Sequence, residues 1–329
     1  MTMNTTDDNW LTKILEGDCR KTLKMIEPGT VQTCVTSPPY WGLRHYGDEA
    51  NQIGQEESLK RYLAQLVKVF TLVHKALRPD GTLWLNMGDT YVSSGAIRET
   101  RDANKVKEQH GRIYQRKLLR GAKAGVITKE GLKRTASVVK IPPKNLLGIP
   151  WRVAFALQAS GWILRQDVIW SKPNPIPEPV RDRCTKSHEY VFLFVKRRHY
   201  HFDASAIAEK PTEDYRKRVD QINRQIEKEG KISGYRSLRL LTANKRSVWT
   251  IKPARSDGEH NAVFPLELAE TCILAGSTAG GIVLDPFAGS GTTGEAAVKL
   301  GRRAILCEIS PTFLKKIKKR VNITPGLGL

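Results

Sequence analysis

Cysteine, acidic residues and long apolar runs are all scarce in this chain. Its 329 residues include five cysteines, Cys19, Cys34, Cys184, Cys272 and Cys307, with no CxxC pair and no Cys/His cluster. That scatter argues against a disulfide framework or a zinc site, and no metal is expected. Three of the five lie in apolar runs that suit buried, reduced thiols. Acidic residues number 33 against 54 Lys and Arg, a net charge of +21. No run approaches the roughly 20 apolar residues of a membrane span. The segment Met1 to Trp10 is polar and lacks the apolar core of a secretory signal. The expectation is a cytoplasmic protein that makes no membrane contact.

What is present is ordinary in bulk and unusual in charge. Hydrophobic residues make up 40% and charged residues 26%, enough for a full globular core. A merely basic surface is one explanation of the excess charge; a polyanionic partner, nucleic acid first, is the other.

Along the chain, short strands alternate with helices. Leu11 to Leu15, Val31 to Val35 and Thr82 to Asn86 read as strands, Arg20 to Ile26 as a helix. Leu59, Leu63, Leu66, Phe70, Val73 and Leu77 mark one face of a long helix. Pro79-Asp80-Gly81 reads as the turn that ends it. After an interruption, Ile149 to Gln158 reads as a helix, and Trp162 to Trp170 and His188 to Val195 as strands. Phe264 to Ala275, Thr293 to Leu300 and Pro311 to Val321 read as helices around strands Gly281 to Leu284 and Ala304 to Cys307. This alternation predicts an α/β fold with a doubly wound, mostly parallel sheet. Two basic segments, 93–140 and 203–250, lack a sustained apolar face apart from a charged helix between Glu213 and Glu229. They divide the chain into units 1–92, 93–140, 141–202, 203–250 and 251–329.

Near the C-terminus, Ile282-Val283-Leu284 runs into Asp285-Pro286-Phe287-Ala288-Gly289-Ser290-Gly291-Thr292-Thr293 and a helix. Strand, glycine turn and helix N-terminus make a nucleotide-type site. A second acid, Glu308, ends the next strand 23 residues beyond Asp285, near the spacing at which a carboxylate meets ribose hydroxyls. No Lys follows the glycines, so this is not a P-loop that cradles phosphates. An acidic residue opening the turn suits a ligand with an ammonium group, such as S-adenosylmethionine (SAM), better than a pyrophosphate; NAD is the alternative.

The run Ser37-Pro38-Pro39-Tyr40-Trp41 follows the second strand. The prolines fix the backbone in advance. The Ser37 hydroxyl and the Pro38 carbonyl can both accept from one exocyclic NH2 group, and Tyr40 can stack on a planar base taken out of a duplex. A packed, Pro-rich turn is the structural alternative. The covalent route to cytosine C5 uses a nucleophilic cysteine in a Pro-Cys dipeptide, and no cysteine here follows a proline.

At these residues the chain resembles the amino-methylating DNA methyltransferases that form N4-methylcytosine or N6-methyladenine. The resemblance implies that Ser37, Pro38, Pro39 and Tyr40 are catalytic, and that Asp285, Phe287, Gly289, Ser290, Gly291, Thr292 and Glu308 bind SAM. Gly17-Asp18 is similar to the family's contact with the cofactor adenine. His260-Asn261-Ala262-Val263-Phe264-Pro265 is similar to the stretch against its methionine end, so that Asp18, His260, Phe264 and Pro265 join the cofactor set. Leu77-Arg78-Pro79-Asp80-Gly81-Thr82 and Ser187-His188-Glu189-Tyr190 resemble scaffold stretches. The catalytic block precedes the SAM block, as in the circularly permuted beta group, which places target recognition between them. Ser at the first motif position resembles the cytosine-N4 type, with adenine N6 the alternative. The implied partners are double-stranded DNA, a separate restriction endonuclease and a second copy of the chain. A structured-RNA methyltransferase and a non-catalytic DNA-binding relative are the competing readings.

Overall fold

In the computed structural model, residues 11–42, 52–92, 141–175, 177–229, 242–254 and 264–321 are described. They build one sheet from β1 (Thr12–Glu16), β2 (Val31–Thr36), β3 (Leu77–Met87), β4 (Ile163–Ser171), β5 (His188–Val195), β6 (Val248–Thr250), β7 (Ile282–Asp285) and β8 (Arg303–Glu308). The strand order is β1-β8-β7-β2-β3-β5-β4-β6. Neighbours pair in parallel except around β5, which runs antiparallel to both β3 and β4. The first and last strands in sequence therefore lie side by side, and the middle of the chain forms the other wing.

The helices are α1 (Cys19–Thr22), α2 (Leu59–Ala76), α3 (Ile149–Ala159), α4 (Glu213–Glu229), α5 (Leu266–Gly276), α6 (Thr292–Lys299) and α7 (Pro311–Val321). Alternation along each strand sends side chains to two faces. Leu83, Leu85, Met87, Phe192, Phe194, Ile305 and Cys307 pack with α1, α2 and α3 on one face. Trp84, Val191, Leu193, Val195, Ala304 and Leu306 pack with α5, α6 and α7 on the other. Apolar residues on both faces of one strand are what a doubly covered sheet requires.

Most elements lie where the pattern places them, with α4 and α7 at their expected bounds. The turn at Pro79-Asp80-Gly81 is different. Strand β3 begins at Leu77, and its register on β2 moves from Val31↔Leu77 to Thr33↔Thr82, so those residues form a bulge inside the strand. The pattern showed no strand at Val248–Thr250, yet Trp249 is buried there and β6 closes the sheet beside β4. Segment 93–140 lies outside the described residues. Among the described residues no helix is long and apolar enough to cross a membrane.

Candidate active site

Strands β2 and β7 are parallel neighbours, with Thr33 opposite Val283 and Cys34 opposite Leu284. The Ser-Pro-Pro-Tyr loop and the glycine loop, which follow them, must therefore leave the same edge of the sheet. A buried hydrogen bond joins their roots: the Thr36 hydroxyl donates to Asp285 Oδ1 at 2.6 Å. The Phe287 N–H donates to the same oxygen at 3.0 Å, and the Thr293 hydroxyl to Oδ2 at 2.7 Å. Asp285 is buried, and burial raises its carboxyl pKa against the pull of these three donors. Both oxygens are thus engaged inside the protein, where the sequence alone suggested a charge facing a ligand.

Beyond Asp285, two glycines do different work. Gly289 has φ +54°, and a Cβ built there would meet nothing nearer than the Phe287 carbonyl at 4.0 Å, so a ligand can approach its backbone. Gly291 has φ +84°, and its Cβ would lie 3.2 Å from Ile317 on α7, so it lets two helices close together. Glu308, at the end of β8, accepts from the Gly289 N–H and the Ser310 N–H, each at 2.8 Å. Burial pushes its carboxyl up to about 7 despite those donors.

Strand β1 lies next to β8, and the Gly17 N–H donates to the Glu308 carbonyl at 2.8 Å, which brings Asp18 to the same edge. Asp18 caps α1 by accepting from the Arg20 N–H and pairs with the Arg20 guanidinium at 2.7 Å. Burial opposes its charge, but Arg20 prevails and holds the carboxyl below its ordinary value.

Sequence reasoning missed the brace on the other side of the glycine loop. Arg320 of α7 donates to Ser290 Oγ at 2.9 Å and Thr292 Oγ1 at 3.0 Å, and pairs with Glu295. Nothing in a lysine-rich helix distinguished this arginine from its neighbours.

The first loop is held as firmly. The Tyr62 hydroxyl donates to the Pro39 carbonyl at 2.9 Å, and the Trp41 indole to the Glu56 carbonyl at 2.9 Å. Ser37 is half-buried, with its Oγ 3.5 Å from the Tyr40 hydroxyl. Tyr40 as a whole is half-buried, but its hydroxyl end is enclosed and donates to Glu189 Oε2 at 2.7 Å. Burial, then the Glu189 charge, raise its phenol pKa well above the usual value, so the hydroxyl stays protonated.

Phe287 and Phe264 are half-buried against the two core clusters, and Pro265 is the N-cap residue of α5. His260 lies outside the described residues. Four of the five thiols are buried and Cys184 is exposed; burial pushes Cys307 up to about 12. Among the described residues no group of three or more His, Cys, Asp or Glu is placed to hold a metal ion.

A glycine loop opening a helix at the centre of a doubly wound sheet, faced by a rigid polar and aromatic loop, defines an α/β enzyme of the nucleotide-cofactor type. The chain belongs to the N6/N4 family of DNA methylases, which matches residues 31–319. It is 41% identical over 310 residues to the Type II methyltransferase M.SmaI of Serratia marcescens, a match covering 94% of this chain and 90% of that one. Its fold is similar to that of the PvuII DNA methyltransferase (cytosine-N4-specific), with TM-score 0.60 and 18% identity over 99% of this chain and 90% of that one. It is similar also to the protein TTHA0409 of Thermus thermophilus, solved in complex with S-adenosyl-L-methionine (TM-score 0.56, 23% identity, 94% and 93% coverage).

Proposed function

We propose that this DNA methylase transfers the methyl group of SAM to the exocyclic N4 amino group of a cytosine flipped out of duplex DNA. The observation that carries the reading is the pairing of β2 with β7, which sets the Ser-Pro-Pro-Tyr loop beside the glycine loop. SAM supplies an electrophilic methyl on a sulfonium. Gly289 offers an open backbone, Glu308 a carboxylate for ribose hydroxyls, and Asp18 a second acidic position on the same edge. Asp285 serves the cofactor through the loop it braces.

On the substrate side, Ser37 Oγ and the Pro38 carbonyl accept from the amino group, which turns the nitrogen lone pair toward the methyl. Tyr40 replaces the stacking that the base loses on leaving the duplex. With SAM bound beside it, the methyl would pass to this nitrogen, leaving S-adenosylhomocysteine and releasing the amino proton to solvent. The part of Ser37, Pro38 and Tyr40 is to hold the nitrogen in line, and positioning supplies most of the acceleration. Neither cysteine nor metal is assigned a step.

Duplex DNA is held by the basic surface, with Lys and Arg on phosphates. We assign base recognition to 203–250, where α4 presents Arg224 and Gln225 at an exposed face and buries Val219. Segment 93–140 is assigned to clamping DNA. The adjacency of β1 and β8 supports the circularly permuted beta-group order. A cytoplasmic location, a separate restriction endonuclease and a homodimer are consistent with this function. Mass spectrometry of nucleosides from DNA treated with protein and SAM is the test. N4-methylcytosine is expected; N6-methyladenine would overturn the choice of base, and transfer to RNA in preference to duplex DNA would overturn the substrate.

A further inference from the structure

Strand β5 enters the sheet antiparallel, so its first residues, not its last, reach the edge where β2 and β3 end. Glu189 arrives there from the opposite wing. Its Oε2 accepts from the Tyr40 hydroxyl at 2.7 Å and from Asn86 Nδ2 at 2.9 Å, and its Oε1 pairs with the Lys172 ammonium. The Glu189 side chain is only 13% exposed. Lys172 balances its charge and lies 4.4 Å over the Trp170 ring, so the counter-charge is held as well. Gly88 completes the seat: a Cβ there would lie 2.8 Å from Tyr40 Cε2 and 3.3 Å from Glu189 Cδ.

We propose that Glu189 is a positioning residue for methyl transfer, fixing the plane of the Tyr40 ring before the base arrives. This inference rests on the reading of Tyr40 as the stacking platform. A buried carboxylate with all its donors supplied has one low-energy arrangement, and it fixes both the depth and the tilt of the phenol. Tyr40 is half-buried as a residue while its hydroxyl is anchored, which is compatible with a pre-set platform. The glycine at position 88 is the space that this seat requires.

The experiment is a double-mutant cycle on turnover, with labelled SAM and unmethylated plasmid DNA as probes. Glu189→Ala should lower kcat by about 10²-fold, the scale of an ångström-level misplacement, and leave the Kd for SAM unchanged. Glu189→Gln keeps an acceptor oxygen for the phenol and should recover about tenfold of that loss. Tyr40→Phe keeps the ring and removes the anchor. In that background Glu189→Gln should add little further loss, because the two residues act through one hydrogen bond. Losses that multiply independently, or a Glu189→Gln variant with wild-type kcat, would overturn the positioning role. Thermal melts of both variants guard against unfolding, and Glu189→Gln carries the test if Glu189→Ala does not fold. If the wild-type protein transfers no methyl group, the reading of the site fails and the inference falls with it. If it transfers to adenine, only the choice of base fails.

Discussion

The Thr36 hydroxyl donates to the Asp285 carboxylate across 249 residues of sequence, at 2.6 Å and out of contact with water. This bond ties the last residue of β2 to the last residue of β7, where the two functional loops begin. A carboxylate in that position would pay a desolvation cost of several kcal/mol, on the order of that for any buried ion, unless its lone pairs were filled. Thr36, Thr293 and the Phe287 N–H fill them. Asp285 therefore fixes the distance between donor and acceptor loops as well as the shape of its own.

Thr36→Val keeps the shape of the side chain and removes the donor. The variant should lose about 1–3 kcal/mol of stability, the cost of an under-satisfied buried acceptor, and should bind SAM more weakly because the glycine loop shifts. Asp285→Ala should weaken SAM binding further. Denaturant titration and a SAM binding isotherm check both; unchanged values for Thr36→Val would mean that the loops are set by the strands alone.

The elements were legible in the sequence wherever their signal was local. Leu59 to Leu77 showed a helical face, and α2 runs over Leu59–Ala76. The glycine loop and the Ser-Pro-Pro-Tyr run were legible because their backbone demands particular residues. What escaped were relationships set by topology. The pairing of Glu189 with Tyr40 depends on β5 running antiparallel, and no short-range pattern encodes strand direction. Strand β6 is three residues long, too short for periodicity, and was seen only through its pairing with β4. The bulge at Arg78–Gly81 looked like a turn because Pro-Asp-Gly is turn chemistry, but the register shift absorbs it within the strand.

Ser37→Ala should separate catalysis from cofactor binding. Its Oγ meets the Tyr40 hydroxyl only at 3.5 Å, so the fold asks little of it. Turnover should fall by roughly 10²-fold as the amino group loses an orienting acceptor, while the Kd for SAM changes little. Steady-state kinetics with a parallel SAM titration reads the two quantities. Full activity in the variant would remove Ser37 from the mechanism.

Glu308 gives the site a pH dependence with a definite sign. Its folded pKa is about 7 against an ordinary 4.5, so the folded protein takes up a proton that the unfolded chain releases. The stability it contributes is full below pH 4.5 and is lost as pH rises through about 7, a swing on the order of 3 kcal/mol. Binding runs the other way, because ribose hydroxyls donate best to the charged carboxylate. SAM affinity should therefore be higher at about pH 8 than at about pH 6, on either side of the folded pKa, with proton release on binding at the lower pH. Glu308→Gln should flatten both profiles. Melting curves across that range, and calorimetry in buffers of different ionisation enthalpy, supply the measurements.

Gly289→Ala and Gly291→Ala should fail in different ways, although the two glycines share one loop. Both place an L side chain at positive φ, a strain of about 1–3 kcal/mol in each case. At Gly289 the new methyl group points into open space, the space a cofactor would need, and the fold meets no further clash. At Gly291 it meets Ile317 at 3.2 Å and pushes on the contact between α6 and α7. Gly291→Ala should therefore lose more stability. It should also loosen the Arg320 bonds to Ser290 and Thr292, because those bonds depend on how α7 sits against the loop. Gly289→Ala should keep more of its melting temperature and lose more of its SAM affinity. The pair is read by melting temperature and SAM titration on the same samples; equal losses on both axes would show that both glycines serve only the turn.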